Sequence, residues 1–408
     1  MVMQKETLTF ILAGGMGSRL YPLTARRSKP SVPFGGKYRI IDFTLANCLH
    51  SGLRRILVLT QYKSHSLNKH LRDGWSIYNP ELGEYITAVP AQMNRGDHWY
   101  QGTADAIFQN LNLLERSDAE YTLVLSGDHI YRMDYEALLE SHKERGADVT
   151  IACMEVGIGE AGAFGVVVTD EQQQIIEFEE KPENPTPLPG NSQKCLVSMG
   201  LYVFSSELLK KALIDDQQDG ESNHDFGQDI LPELLREYTV HAYKFGGDKG
   251  RVTPDRYWRD VGTIDAYYQA NMDLLKPVPP LNLYQHDWPI RTYQPQSPPA
   301  RTIPGSSGTD DVFVNSILAN GVVISGGNVR HSILFHDIYI DDKAIICKSI
   351  LFDGVHVGEG ARLRNCIVDK HVQIPAMTKI GYELEQDRKR FTVSENGIVV
   401  VPEGYLFA

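Results

Sequence analysis

Four tetrads in the last quarter of the chain, NSIL, HSIL, KSIL and NCIV, begin at residues 315, 331, 348 and 365, so the pattern returns every 16 or 17 residues. A period close to three hexapeptides admits few folds. One such unit is too short to bury its own apolar face and must stack on the next, as the coils of a parallel β-helix do. Val323, Val329, Val355, Ala361 and Ile367 include pairs spaced six apart, and glycines at 321, 326, 327, 354, 358 and 360 offer corners. A plain β-sandwich leaves the period unexplained. These features predict a β-helix domain with a C-terminal tail over residues 311–408.

Upstream, prolines at 277, 279, 280, 289, 295, 298, 299 and 304 forbid long helices and central strands. Residues 276–310 therefore read as an extended linker, docked through its Trp288-Pro289-Ile290-Arg291 core. The first 275 residues read differently. Apolar strands alternate there with helical stretches, as in βαβ units of a mostly parallel sheet, so the whole is an α/β chain with a Rossmann-like first domain. A length of 408 residues also calls for more than one core.

The N-terminal stretch TFILAGGMGSRLYPLTARRSKPSVP, Thr9 to Pro33, carries the first chemical signal. A buried strand ends in Gly14, Gly15 and Gly17, and Arg19, Arg26, Arg27 and Lys29 follow. Bare amides and fixed cations together suit a polyphosphate. Neither the Walker A pattern nor the dinucleotide GxGxxG is met, since no Lys-Ser or Lys-Thr follows and Leu20 fails the third glycine. Tyr121 to Leu125 predict a second buried strand, and Ser126-Gly127-Asp128 place a carboxylate at its C-terminal end, where open α/β sheets bind ligands. Asp128 either caps the next turn or offers a hard oxygen to Mg²⁺.

Charge narrows the partners. With 40 Lys and Arg against 52 Asp and Glu, the net charge of −12 argues against a general nucleic-acid or membrane-surface binder. Five cysteines, at 48, 153, 195, 347 and 366, show neither a disulfide framework nor zinc spacing. The apolar run near the start is shorter than a signal or membrane helix, so the cytoplasm is the expected compartment.

The wording G-G-x-G-x-R-L-x-P-L-T with Lys29-Pro30 resembles the signature of the sugar-1-phosphate nucleotidyltransferases. GGKYRIID at 35–42 and HDFGQDI at 224–230 resemble its adenylyl-transferring members most. The likeness runs from about residue 8 to 402. It implies transfer of an adenylyl group from ATP to α-D-glucose 1-phosphate, with Mg²⁺, in a homotetramer, and a β-helix of the left-handed type. By the same resemblance, Arg19, Lys29 and Asp128 are catalytic. Gly14, Gly15, Gly17, Arg19, Gln92, Gly102 and Thr103 meet ATP. Tyr100, Gly165, Glu180, Lys181 and Ser198 meet the sugar phosphate. Asp260, in YWRDVGT, joins Asp128 on the metal. The residue types fit: the Gln92 amide can pair with an adenine edge, lysine is a point charge for phosphate, and a carboxylate accepts from hydroxyls. Small-molecule effectors are implied between the domains, near Arg26, Arg27, Arg39 and the Arg388, Lys389, Arg390 cluster, with their identity open. Rival readings are a relative using another nucleotide, and a catalytically silent regulatory subunit. The charged residues at 19, 29, 128, 181 and 260 weigh against the second.

Overall fold

The computed structural model describes residues 6–94, 98–247, 250–251 and 256–407; the outer ends of the expected domains, residues 1–5 and 408, lie outside them. In the first domain the strands are β1 (Thr7–Leu12), β2 (Pro33–Phe34), β3 (Tyr38–Arg39), β4 (Arg55–Thr60), β5 (Tyr85–Pro90), β6 (Tyr121–Ser126), β7 (His129–Tyr131), β8 (Val149–Gly157), β9 (Gly165–Thr169), β10 (Ile175–Glu180), β11 (Lys194–Ser205), β12 (Val240–Lys244) and β13 (Trp258–Asp260). β1 is central because it is apolar on both faces, which only a strand covered on both sides tolerates. It pairs in parallel with β4 on one side and β6 on the other, and β5 extends the parallel run beyond β4. The long β11 runs antiparallel to β6 and β8, and β12 rejoins β8 in parallel. As a result β1, β4 and β6 all end at one edge of the sheet.

Two small units stand apart from the sheet. β2 and β3 form a hairpin that leads into the helix Ile40–His50. Asp42 lies in the first turn of that helix. Arg39 is the N-cap, and the Asp42 carboxylate reaches back to its N–H at 2.8 Å while also accepting from His70 Nε2 (2.5 Å) and Trp75 Nε1 (2.8 Å). A carboxylate with that many donors repays its burial. The second unit is the antiparallel ribbon of β7 and β13, in which Asp260 faces His129 across the strands.

In the C-terminal third, three parallel sheets wind as a β-helix. Ile317 pairs with Ile333, Ile333 with Ile350, and Ile350 with Ile367, so the tetrads stack in register. Their leading residues, Asn315, His331, Lys348 and Asn365, turn the corners at φ 43, 49, 48 and 48°. Side chains other than glycine thus take many corners. Inside the coils, Ser316 Oγ accepts from Ser332 N (3.0 Å) and Ser332 Oγ from Ser349 N (3.1 Å). This hydroxyl ladder satisfies backbone that would otherwise be orphaned. Val399–Val401 from the tail extends the same sheet beside Cys366–Val368.

The proline-rich stretch docks on the first domain. Trp288 is buried, donates from Nε1 to Asn47 Oδ1 at 3.1 Å and packs on the His50 ring, and Arg291 Nε donates to the Gly74 carbonyl at 2.9 Å. Arg301–Ile303, inside the stretch expected to be linker, forms the first strand of the first coil and pairs with Val323–Ser325. Pro298, Pro299 and Pro304 flank that strand and do not interrupt it, so they do not forbid it. One apolar cluster runs unbroken from Phe34, Ile41 and Tyr267 to Ile333, Leu351 and Ile367, so the two domains share a core.

Candidate active site

A cleft of about 680 Å³ opens at the C-terminal ends of β1, β4 and β6, lined by the 14–19 loop, Lys29, Gln61, Asp128, and segments 100–103, 180–181 and 225–227. The glycine loop follows β1. Gly17 sits at φ 62°, and a Cβ there would come within 3.1 Å of both Lys29 Cβ and Thr24 Cγ2. Any side chain would be strained and would push Lys29 aside. Thr24 Oγ1 closes the loop by donating to the Gly17 carbonyl at 2.9 Å.

Lys29 is buried at the floor of the cleft, and its ammonium lies 2.9 Å from Asp128 Oδ2 and 2.7 Å from Asp260 Oδ1. Burial works to lower its pKa, yet the two carboxylates prevail and raise it above the ordinary value, so Lys29 is charged. For Asp128 burial works upward, but Lys29, His129 and the Ser126 hydroxyl outweigh it and hold the carboxyl well below the usual range. The His129 pKa is lowered, chiefly by burial, with the neighbouring carboxylates opposing. Asp128, His129 and Asp260 bring one ligand atom each within 4.8 Å of one another, the one such group of three found among the described residues. Two carboxylates that share a single ammonium form a hard, anionic pair of donors. That is the kind of pair a small divalent cation takes.

The other sequence-predicted residues fall into three groups. Gly14, Gly15, Gly17, Arg19, Tyr100, Gly102, Thr103, Glu180 and Lys181 line the cleft with Lys29 and Asp128. Arg19 reaches the Asp260 side, since a Cβ on Gly262 would lie 3.1 Å from both Arg19 Nη2 and Asp260 Oδ1. Lys181 pairs with Glu180, and the Glu180 carboxylate stands over Gly227. Gly165 and Ser198 stand just behind the wall. Gly165 pairs with Glu180 in the β9–β10 hairpin, where a Cβ would strike the Phe178 ring at 2.4 Å, and Ser198 Oγ accepts from Gly200 N at 3.1 Å. Gln92 is exposed on the segment leaving β5 and is not among the lining residues.

The basic residues expected at the domain junction divide. Arg27 is buried and committed to the C-terminal domain, at 2.9 Å from Asp369 and 3.0 Å from Glu403, whereas Arg26 is exposed and lies 3.7 Å from Glu403. Arg39 Nη1 donates to the Ser66 carbonyl and hydroxyl. Arg388 and Arg390 pair with Glu385 and Asp387 of their own short helix, and Lys389 with Gln386.

Several lining residues were not singled out in the sequence. Gln61, directly after β4, clasps the Tyr100 backbone, accepting from its N–H at 2.8 Å and donating to its carbonyl at 3.3 Å. A polar residue at the end of an apolar parallel strand was the available signal. Asp225 Oδ1 caps Gly227 and Gln228, while Oδ2 accepts from the Thr103 hydroxyl at 2.9 Å. It thereby ties segment 224–227 to the helix Thr103–Phe108. Tyr202 and Gly200 arrive from β11.

Comparison with protein families matches residues 8–277 to the family described as nucleotidyl transferase, and residues 298–401 to the GlmU-like, C-terminal hexapeptide family. The second agrees with the β-helix that the repeat predicts and with the left-handed type that the resemblance implies. Among curated relatives, glucose-1-phosphate adenylyltransferase 2 of Vibrio vulnificus (strain CMCP6) is 64% identical over 403 residues, which are 99% of this chain and 100% of that one. The enzyme of the same name from Vibrio cholerae serotype O1 is 61% identical over 99% of each chain. Glucose-1-phosphate adenylyltransferase of Rhodopirellula baltica is 49% identical over 100% of this chain and 92% of its own. With a nucleotidyl transferase match over the cleft-bearing domain, a hexapeptide match over the coils and such likeness along nearly the full length, the chain belongs to the nucleotidyl transferase family, among the glucose-1-phosphate adenylyltransferases.

Proposed function

We propose that the protein transfers the adenylyl group of ATP to α-D-glucose 1-phosphate, giving ADP-glucose for glycogen synthesis and releasing pyrophosphate. The observation that carries this reading is the cleft floor, where one buried lysine bridges two aspartates beside a glycine loop and an arginine. Full-length similarity to enzymes of that name supports it.

In the reaction, an oxygen of the sugar phosphate attacks the α-phosphorus. The bond from that phosphorus to the bridging oxygen of the β-phosphate breaks, and pyrophosphate departs with the electron pair. No covalent protein intermediate is needed, so the chain's work is positioning and neutralisation. The 14–17 amides and Gly102-Thr103 seat the triphosphate, and Gln92 reads the adenine edge from the rim. Arg19 and Lys29 offset charge on the phosphates and on the departing pyrophosphate. Lys181 grips the sugar phosphate and Glu180 accepts from sugar hydroxyls, with Tyr100 on the same wall and Gly165 and Ser198 supporting it. Asp128 and Asp260 would hold Mg²⁺, which supplies positive charge to the phosphate oxygens. Pyrophosphate release measured with ATP, UTP and GTP, with and without glucose 1-phosphate and Mg²⁺, tests the assignment. Strong preference for ATP with both additions is expected, and equal rates with UTP would overturn it.

The proposal extends to assembly and control. Phe313 and Val314 are exposed on the outer strand of the first coil, which supports a homotetramer, measurable by light scattering. The exposed Arg26 beside Glu403 supports an anionic effector at the domain junction, near Arg39 and residues 388–390. The free thiols of all five cysteines fit the reducing cytoplasm, and no helix among the described residues is long and apolar enough to cross a membrane.

A further inference from the structure

One residue at the floor of the cleft is left idle by the mechanism. His129 follows Asp128 and is paired in the β7–β13 ribbon directly with Asp260, so one backbone unit fixes all three side chains. Its Nε2 lies 3.6 Å from Asp128 Oδ1, on the side where the carboxylates converge. Nδ1 is buried and has no hydrogen-bond partner among the described residues. The ring is held edge-on against Trp258 at a centroid distance of 4.9 Å. A ring so confined has one nitrogen left to use, and that nitrogen faces the shared cation position.

We infer that His129 is a third, nitrogen ligand of the divalent cation, so that the site binds first-row transition ions such as Mn²⁺ and, above all, Co²⁺ more tightly than Mg²⁺. The inference rests on the reading of Asp128 and Asp260 as cation ligands. Two carboxylates alone suit a hard ion that keeps its waters, and they discriminate weakly. An imidazole adds a donor that Mg²⁺ uses poorly and that ions later in the first transition row favour. The protein would then load whichever divalent ion its surroundings supply, with the imidazole setting the preference. Lys29 occupies the carboxylates until such an ion displaces it.

The test uses the full-length protein without nucleotide, so that no adenine nitrogen is present. Pulsed electron paramagnetic resonance on the Mn²⁺-loaded protein should show ¹⁴N modulation from one imidazole. His129→Phe, which keeps a ring against Trp258, should abolish it. In calorimetric titrations the same variant should lose at least about tenfold in Co²⁺ affinity while Mg²⁺ affinity stays within about twofold. His129→Asn, offering an amide oxygen, should behave like His129→Phe toward Co²⁺. Absence of ¹⁴N modulation in the unaltered protein, or an unchanged Co²⁺ affinity in a folded His129 variant, overturns the inference. Asp128→Asn separates the two readings. It should weaken both ions together, and unweakened binding of both would instead remove the carboxylate assignment itself.

Discussion

Lys29 and Asp128 hold each other in the state their chemistry needs, and single substitutions expose that dependence. Asp128→Asn keeps the shape but offers a neutral amide to Lys29 and to a divalent ion, so turnover should drop by about a hundredfold or more with the melting temperature nearly unchanged. Near-normal kcat in that variant would discard the role given to Asp128. Lys181 is more than half exposed and, among the described residues, pairs only with Glu180, so Lys181→Ala should leave folding alone and raise KM for glucose 1-phosphate about tenfold, with KM for ATP little moved. Equal shifts in both constants would count against its assignment. Gly102 has ordinary extended backbone, but a Cβ there would meet the His224 carbonyl oxygen at 2.1 Å and that of Asn223 at 2.4 Å. Gly102→Ala should therefore displace segment 223–225 from Thr103, costing about 1–3 kcal/mol in unfolding free energy together with activity. Residues whose charge stands in a marked motif were legible from the sequence, Arg19 and Lys29 after the glycine loop and Asp128 just past a strand end. Gln61 and Asp225 were not, because what they hold is backbone, and no local pattern shows which distant segment a side chain will meet.

Elements show the same division between local and distant causes. The helix Tyr135–Arg145 is marked in the sequence by Asp134 at its start and Gly146 at its end, and the structure uses both, with Asp134 accepting from Glu136 N and Gly146 at φ 59°. Its packing holds a consequence that the pattern does not show. His142 is buried with Nδ1 bound to Thr150 Oγ1 at 2.8 Å, and burial above all pushes its pKa down to about 4. In the unfolded chain the group titrates near 6.5. Between those values the unfolded state binds the extra proton, so stability is full above pH 6.5 and falls as pH drops toward 4. From pH 7 to pH 5 this one group should remove about 2 kcal/mol. Denaturant unfolding at the two pH values should show a smaller drop in His142→Gln than in the unaltered protein; an identical drop would sink the attribution. The β-helix was legible because its signal repeats in register. The ribbon of β7 and β13 was invisible, being two three-residue strands paired across more than a hundred residues of chain.

At the scale of the whole molecule, the two domains are joined by charge as well as by a common apolar interior. Arg27, Asp369 and Glu403 make the buried part of that joint. Arg27→Ala would leave Asp369 with an uncompensated buried carboxylate, so unfolding of the full chain should become easier by about 3–5 kcal/mol, while Arg26→Ala, at the exposed pair, should change it by less than about 1 kcal/mol. Similar effects from both variants would refute the distinction. The sequence divides by composition into three stretches, a division that Arg301–Ile303 crosses by pairing in the first coil. It conceals the joint, because a salt bridge between residues 27 and 369 leaves no trace in either neighbourhood. Arg27 stands two positions before Lys29, just ahead of the short turn Lys29–Ser31. Chimeras that graft a relative's hexapeptide coils onto this catalytic half would therefore have to carry matching acids at 369 and 403, or the lysine between the aspartates would inherit the misfit.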